Sequence, residues 1–212
     1  MIMRAPLTAL LPLALLAACA QAPVQTAAAP AAPPLPAHPL VRIETNMGNM
    51  VVQLDTARAP LTVAAFLQHA EAHKYDGTSF YRIVPGFVIQ AGDFNADYQP
   101  LPEEKTIPNE SGNGLSNLRG TIALAREADP HTGSYVFYLN LMDNRKLDPR
   151  PDRWGYAVFG QVVEGLDVMD KIAAVPTHDL KTPHQDEFTD APVSPVTIEK
   201  VVMLPTEAPA QP

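Results

Sequence analysis

Residues 80–93 (FYRIVPGFVIQAGD) constrain this chain more than any other stretch. Two short apolar runs flank a Pro-Gly pair, which marks a turn between two strands. Residues two apart on a strand share a face. Arg82 is therefore placed with Phe80 and Val84, and Phe87 with Ile89 and Ala91. Arg82 and Gln90 stand in otherwise apolar strands. A polar group there needs a partner, because burying it unpaired costs about 2–7 kcal/mol.

The rest of the folded part continues the pattern. Val41–Glu44 and Met50–Leu54 flank Asn46-Met47-Gly48-Asn49 and predict a hairpin. Pro60–His73 carries Val63, Phe66, Leu67 and Ala70 at helical spacing, with proline at its start. Thr121–Ala125, Tyr135–Leu141, Ala157–Val163 and Val196–Leu204 read as strands. Gly165–Ala174 reads as a second helix on Leu166, Met169, Ile172 and Ala173. Phe94–Leu118 has no sustained period and reads as a long surface excursion, a place where function often sits. Strand pairs with helices at two separated points predict a mainly β protein, a barrel or sandwich with helical caps.

The ends read differently. One positive charge in Met1–Arg4 precedes the apolar run Ala5–Ala18, a secretory signal too short to span a membrane. Leu16-Ala17-Ala18-Cys19 is similar to a bacterial lipobox, which makes residues 1–18 the signal peptide and Cys19 the lipidated N-terminus. Ala20 after the cysteine resembles a signal for the outer membrane. The alternative, cleavage after Ala20, gives a soluble periplasmic protein. Residues 19–39 are rich in Ala and Pro and read as a semi-rigid linker. Residues 40–204 form the domain, and 205–212 a disordered tail. The lone cysteine excludes an internal disulfide. A net charge of -8 with no basic stripe argues against nucleic acid as a partner. His69 and His73 are four apart on the predicted helix, but glutamate does not directly follow the first, so the zinc-protease pattern is not met and no metal site is expected. Asp186-Glu187 reads as a solvated loop.

Five segments, in order, resemble cyclophilin-type peptidyl-prolyl cis-trans isomerases of the bacterial periplasmic subgroup. They are FYRIVPGFVIQAGD, GTIALAR (120–126), YVFYLNLMDN (135–144), GYAVFGQVVEGLDVMDKI (155–172) and VPTHD (175–179). The resemblance covers about Leu40 to Leu204. It implies a closed eight-stranded antiparallel barrel capped by two α-helices. It also implies an enzyme that accelerates X-Pro isomerisation during folding of cell-envelope proteins, acting as a monomer on proline-containing polypeptides without a cofactor.

The chemistry explains the residue types. Rotation about a peptide C–N bond has a barrier of roughly 18–20 kcal/mol, because the nitrogen lone pair is delocalised into the carbonyl. The enzyme need only hold the twisted state better than either planar one. In that state the nitrogen accepts a hydrogen bond, and an arginine, always charged, is suited to donate it. By resemblance Arg82 is that donor and Gln90 positions it. The proline ring sits on Phe87, Tyr138 and Leu147, with Val88 on the wall. The main chain at Ala125 and Arg126 binds the substrate backbone.

Departures from the family pattern also carry expectations. Tyr81 replaces a histidine and Ala91 a glycine. Val136 replaces a glutamine that would bind the substrate backbone. Tyr156 stands where many relatives have histidine. Lys146 stands where cyclosporin-sensitive members have tryptophan, so weak cyclosporin binding is expected, with Trp154 as a possible partial substitute. The alternative from another class is a weakly active proline-binding chaperone or scaffold of the same fold.

Overall fold

The computed structural model describes residues 36–182 and 187–205. The signal segment, Cys19, most of the linker, Asp186 and the tail beyond Pro205 lie outside the described residues. The elements are β1 (Leu40–Thr45), β2 (Gly48–Leu54), α1 (Pro60–Glu71), β3 (Arg82–Val84), β4 (Val88–Ala91), β5 (Thr121–Leu124), β6 (Phe137–Asn140), β7 (Val158–Glu164), α2 (Leu166–Ala173), β8 (Thr177–Lys181), β9 (Glu187–Pro192) and β10 (Ile198–Met203). A 3₁₀ turn spans Arg145–Leu147.

Eight strands form one antiparallel sheet in the order β10-β1-β2-β7-β5-β6-β4-β3. β8 and β9 pair separately. The sheet is an open half-barrel, which corrects the expected closed barrel. Its edge strand β3 has only three residues. β9 lies against β3, and Tyr81 meets Phe188 of β9 with ring centroids 6.3 Å apart. The two edges meet only where the start of β10 passes the segment before β3. There Phe80 N–H donates to the Val196 carbonyl at 2.8 Å and Ile198 N–H to the Thr78 carbonyl at 2.7 Å.

Register sets the two faces of the sheet. Ile83, Ile89, Leu139 and Ile122 are successive partners across β3, β4, β6 and β5, and all four are fully buried. This row faces the main core. α1 adds Val63, Phe66 and Leu67 to that core, and α2 adds Val168, Met169 and Ile172. Phe66 packs its ring 5.6 Å from Phe137 and 5.4 Å from Phe159. Burying each such ring contributes about 1.5–3 kcal/mol. Met169, Ile172 and Ala173 of α2 face the core as expected, whereas Leu166 is exposed and Val168 is buried in its place.

The next row over faces the other way. Arg82, Gln90, Tyr138, Ala123 and Val158 are successive partners across β3, β4, β6, β5 and β7. Val88, Ala123, Tyr138 and Val158 form a second, smaller apolar cluster on this side. Against it pack the partly buried Phe87, Leu115, Ala125, Leu147 and Tyr156.

Candidate active site

The site is built on that outward row. Between β3 and β4 the chain turns through Val84-Pro85-Gly86-Phe87. Phe87 N–H donates to the Val84 carbonyl at 3.0 Å, and Gly86 has φ 68°. This is a type II turn, in which proline presets the first corner and glycine alone takes the positive φ without strain. The turn carries Phe87 to the outward side, where it joins Val88, rather than to the core with Ile89 and Ala91. Phe80 is likewise fully buried in the core rather than beside Arg82.

Arg82, Phe87, Val88, Gln90, Ala125, Arg126, Tyr138, Leu147 and Tyr156 line one cavity of about 120 Å³. All nine are residues singled out from the sequence. Its floor and walls are apolar and aromatic, and Arg82 stands at one side. Among the described residues the Arg82 guanidinium makes no hydrogen bond or ion pair. Its donors face no internal competitor.

Other singled-out residues lie elsewhere. Val136 lines a neighbouring cavity of about 600 Å³ that shares Gln90, Ala125 and Arg126 with the smaller one. Lys146 is exposed and holds its ammonium 4.5 Å above the Phe87 ring, outside the cavity. Trp154 packs edge-on to His131 at 5.3 Å and does not line the small cavity.

The polar groups are arranged differently from the expected pattern. Gln90 is paired with Arg82 in the ladder, but its amide donates to the Tyr81 hydroxyl and makes no bond to Arg82. Burial pushes the Tyr81 phenol well up, with the charge of Asp93 adding to it, so it stays neutral. The Ala125 N–H donates to the Val136 carbonyl at 2.8 Å. Among the described residues the Ala125 carbonyl and Arg126 N–H take part in no backbone hydrogen bond. The Arg126 side chain turns outward. It donates to the carbonyls of Gly155 at 3.0 Å and Trp154 at 2.9 Å, and lies 4.5 Å over the Tyr156 ring.

A buried polar network behind the pocket was not anticipated. Asn117 is fully buried. Its Oδ1 accepts from the Tyr138 hydroxyl at 2.7 Å and from Asn140 at 3.2 Å. Its Nδ2 donates to Asp148 at 2.9 Å. Asn144 donates to Asn140 at 2.9 Å and to the Phe87 carbonyl at 2.8 Å. The network thus holds two of the three aromatic residues of the pocket, Phe87 by its carbonyl and Tyr138 by its hydroxyl. Asn140 and Asn144 lie within the 135–144 motif; Asn117, in a loop, carries no local signal. Among the described residues no cluster of His, Cys, Asp or Glu could hold a metal.

The comparisons with known proteins agree with this geometry. The family described as cyclophilin type peptidyl-prolyl cis-trans isomerase/CLD matches residues 40–203. The chain is 42% identical over 167 residues to peptidyl-prolyl cis-trans isomerase cyp18 of Streptomyces antibioticus, covering 77% of this chain and 98% of that one. It is 38% identical to peptidyl-prolyl cis-trans isomerase B of Escherichia coli K12, covering 77% and 99%. A Cryptosporidium parvum cyclophilin-type isomerase has the same fold, with a TM-score of 0.66, 19% identity, and coverage of 80% of this chain and 99% of that one. With the matched relatives spanned nearly end to end and the cavity lined as described, this chain belongs to the cyclophilin-type peptidyl-prolyl cis-trans isomerases.

Proposed function

We propose that the enzyme isomerises X-Pro bonds by Arg82 donating a hydrogen bond to the prolyl nitrogen of the twisted transition state. The observation that carries this reading is the placement of an uncommitted guanidinium on the wall of a small aromatic pocket. The proline ring fills the pocket against Phe87, Tyr138 and Leu147, with Val88 and Tyr156 closing it. The Ala125 carbonyl and Arg126 N–H hold the backbone next to the proline. Twisting removes amide conjugation and leaves a basic lone pair on nitrogen, so the Arg82 bond strengthens only in the transition state. A hydrogen bond from a charged donor contributes about 1.5–3 kcal/mol, or one to two decades in rate. Preorganised dipoles around the pocket add to this.

A protease-coupled assay on an Ala-Pro-Phe peptide tests the reading. Arg82→Ala is expected to lower kcat/KM by roughly 10- to 100-fold. Unchanged turnover in that variant refutes the mechanism. Proline-peptide binding with no turnover in the wild type would instead favour the chaperone reading.

The proposed setting is the cell envelope, with proline-containing envelope proteins as clients and the domain acting as a monomer. The Leu16–Cys19 pattern supports lipid anchoring at Cys19, in the outer membrane. Absence of palmitate label in the wild type would overturn the anchor and leave the soluble periplasmic form, and label that persists in Cys19→Ala would overturn Cys19 as its site.

A further inference from the structure

The larger cavity has a charge pattern that the isomerisation chemistry does not use. It adjoins the proline pocket through the shared Gln90, Ala125 and Arg126. Asp93, Glu103, Glu104 and Glu127 line it. Lys74 pairs with Glu104 from outside the lining. Arg126 is the one cation in the lining, and its guanidinium is spent on the carbonyls of Gly155, Trp154 and Glu127. Among the described residues Asp93, Glu103 and Glu127 form no ion pair. The carboxylates also sense one another. Burial raises the Asp93 carboxyl, and the charge of Glu127 raises it further. The Tyr135 hydroxyl is pushed up to about 12 by burial, with Asp93, Glu104 and Glu103 contributing.

The same cavity has apolar walls at Pro100, Leu101, Tyr135 and Val136. That combination fits a long aliphatic stem with a cationic head, which buries its methylenes and keeps its charge among carboxylates. Successive residues of an extended peptide lie about 3.3 Å apart, so a side chain within two residues of the bound proline reaches the adjoining space.

We propose that this cavity makes the enzyme selective for X-Pro bonds with a lysine or arginine within two residues of the proline, whose cationic head sits among Asp93, Glu103 and Glu127. The proposal rests on the proline occupying the Phe87–Tyr138 pocket. In the free enzyme the uncompensated carboxylates repel one another; a cation relieves this, and an acidic side chain adds to it.

The test compares tetrapeptides with Lys, Ala or Glu at the first or second residue before the proline, and at the residue after it. Both kcat/KM and binding by calorimetry are read, at low salt and at high salt. At one or more positions, Lys peptides are expected to exceed Glu peptides by roughly 5- to 20-fold at low salt. The ratio shrinks at high salt, because these side chains are partly exposed and screened. A Glu103→Lys, Glu127→Lys double variant, altered at two exposed positions, is expected to bring the ratio to one or below. A wild-type ratio near one at every position, or a ratio that survives charge reversal, overturns the proposal. Lys preference in binding without turnover would sustain the cavity's selectivity while sinking the isomerase mechanism.

Discussion

The Gln90 amide donates to the Tyr81 hydroxyl, although Gln90 faces Arg82 across the β3–β4 ladder. Tyr81 is itself buried and packs edge-on to Phe94 at 4.8 Å. A fixed phenol therefore sets the position of a side chain on the rim shared by the two cavities. Tyr81→Phe keeps the packing and removes the acceptor. Losing one neutral hydrogen bond of about 1 kcal/mol is expected to lower kcat/KM by about 5-fold. Gln90→Ala and the Tyr81→Phe, Gln90→Ala pair are expected to give equal losses, since both remove the same unit. Losses that simply add would show that the two residues act separately.

Asn117 joins the Tyr138 hydroxyl, Asn140 and Asp148 in one buried knot. Asn117→Ala leaves the Tyr138 phenol without its acceptor, and takes one donor from Asp148, which keeps the Asn117 backbone N–H, and one acceptor from Asn140. Each unsatisfied buried group costs about 1–3 kcal/mol, so a loss of about 2–4 kcal/mol of stability is expected in urea unfolding. Tyr138→Phe removes one bond and keeps the ring, and is expected to cost about 1 kcal/mol while retaining proline binding. Equal costs for the two variants would contradict the bridging role of Asn117.

How legible the protein was in its sequence follows from how local each signal is. The β3–β4 turn was readable because Pro85 and Gly86 fix its backbone by their own chemistry. The shared face of Ile89 and Ala91 followed from alternation. Phe80 was misplaced because the strand begins only at Arg82, so alternation did not extend back through Tyr81. Phe87 was misplaced for the matching reason, since it ends the turn rather than starting the strand. β8 and β9 went unseen because their residues are mostly exposed or half-buried and carry no apolar period. The open sheet depends on what lies beside β3, a long-range contact with β9 that no local pattern encodes. The pocket residues were legible through family motifs. The Gln90–Tyr81 bond and the Asn117 network were not, because both depend on side chains meeting from separate segments.

Asp93 gives the stability a definite pH dependence. Its carboxyl is raised above the ordinary 3.8, chiefly by burial and further by Glu127, against a lowering bond from Tyr135. A raised folded-state value means the charged form is disfavoured in the fold. The contribution is fully present below 3.8 and is lost as pH rises through the folded value. Asp93→Asn removes that loss. Its Tm relative to wild type is expected to climb as pH goes from the low side of this window to neutral, then level off. A difference that is flat or falling with pH would refute the assignment.

Lys146 holds its charge over the outer face of Phe87 at 4.5 Å. A cation–π contact at an exposed site contributes about 0.5–1 kcal/mol, so Lys146→Ala is expected to change peptide turnover by no more than about 5-fold. The broad apolar surface that a tryptophan would offer here is missing, and Trp154 is turned to His131 instead. Cyclosporin is therefore expected to bind weakly by calorimetry, and Lys146→Trp to tighten it. Tight binding by the wild type would overturn this.

Arg126 ties the chain around Trp154 and Gly155 to the pocket rim. Its fork reaches both carbonyls while its plane covers Tyr156, which in turn meets Tyr138 edge-on at 5.9 Å. A lysine keeps the charge but cannot span two carbonyls and a ring face at once. Arg126→Lys is expected to loosen the Tyr156 wall, raising KM by about 5- to 10-fold with kcat nearly unchanged, the signature of lost uniform binding. Trp154 is the only tryptophan in the chain, so its fluorescence reports directly on this segment. A shift in Trp154 emission should accompany the change in KM, and saturating peptide should reverse part of it. A fall in kcat with no change in emission would show that Arg126 acts on the chemistry and not through the wall it holds.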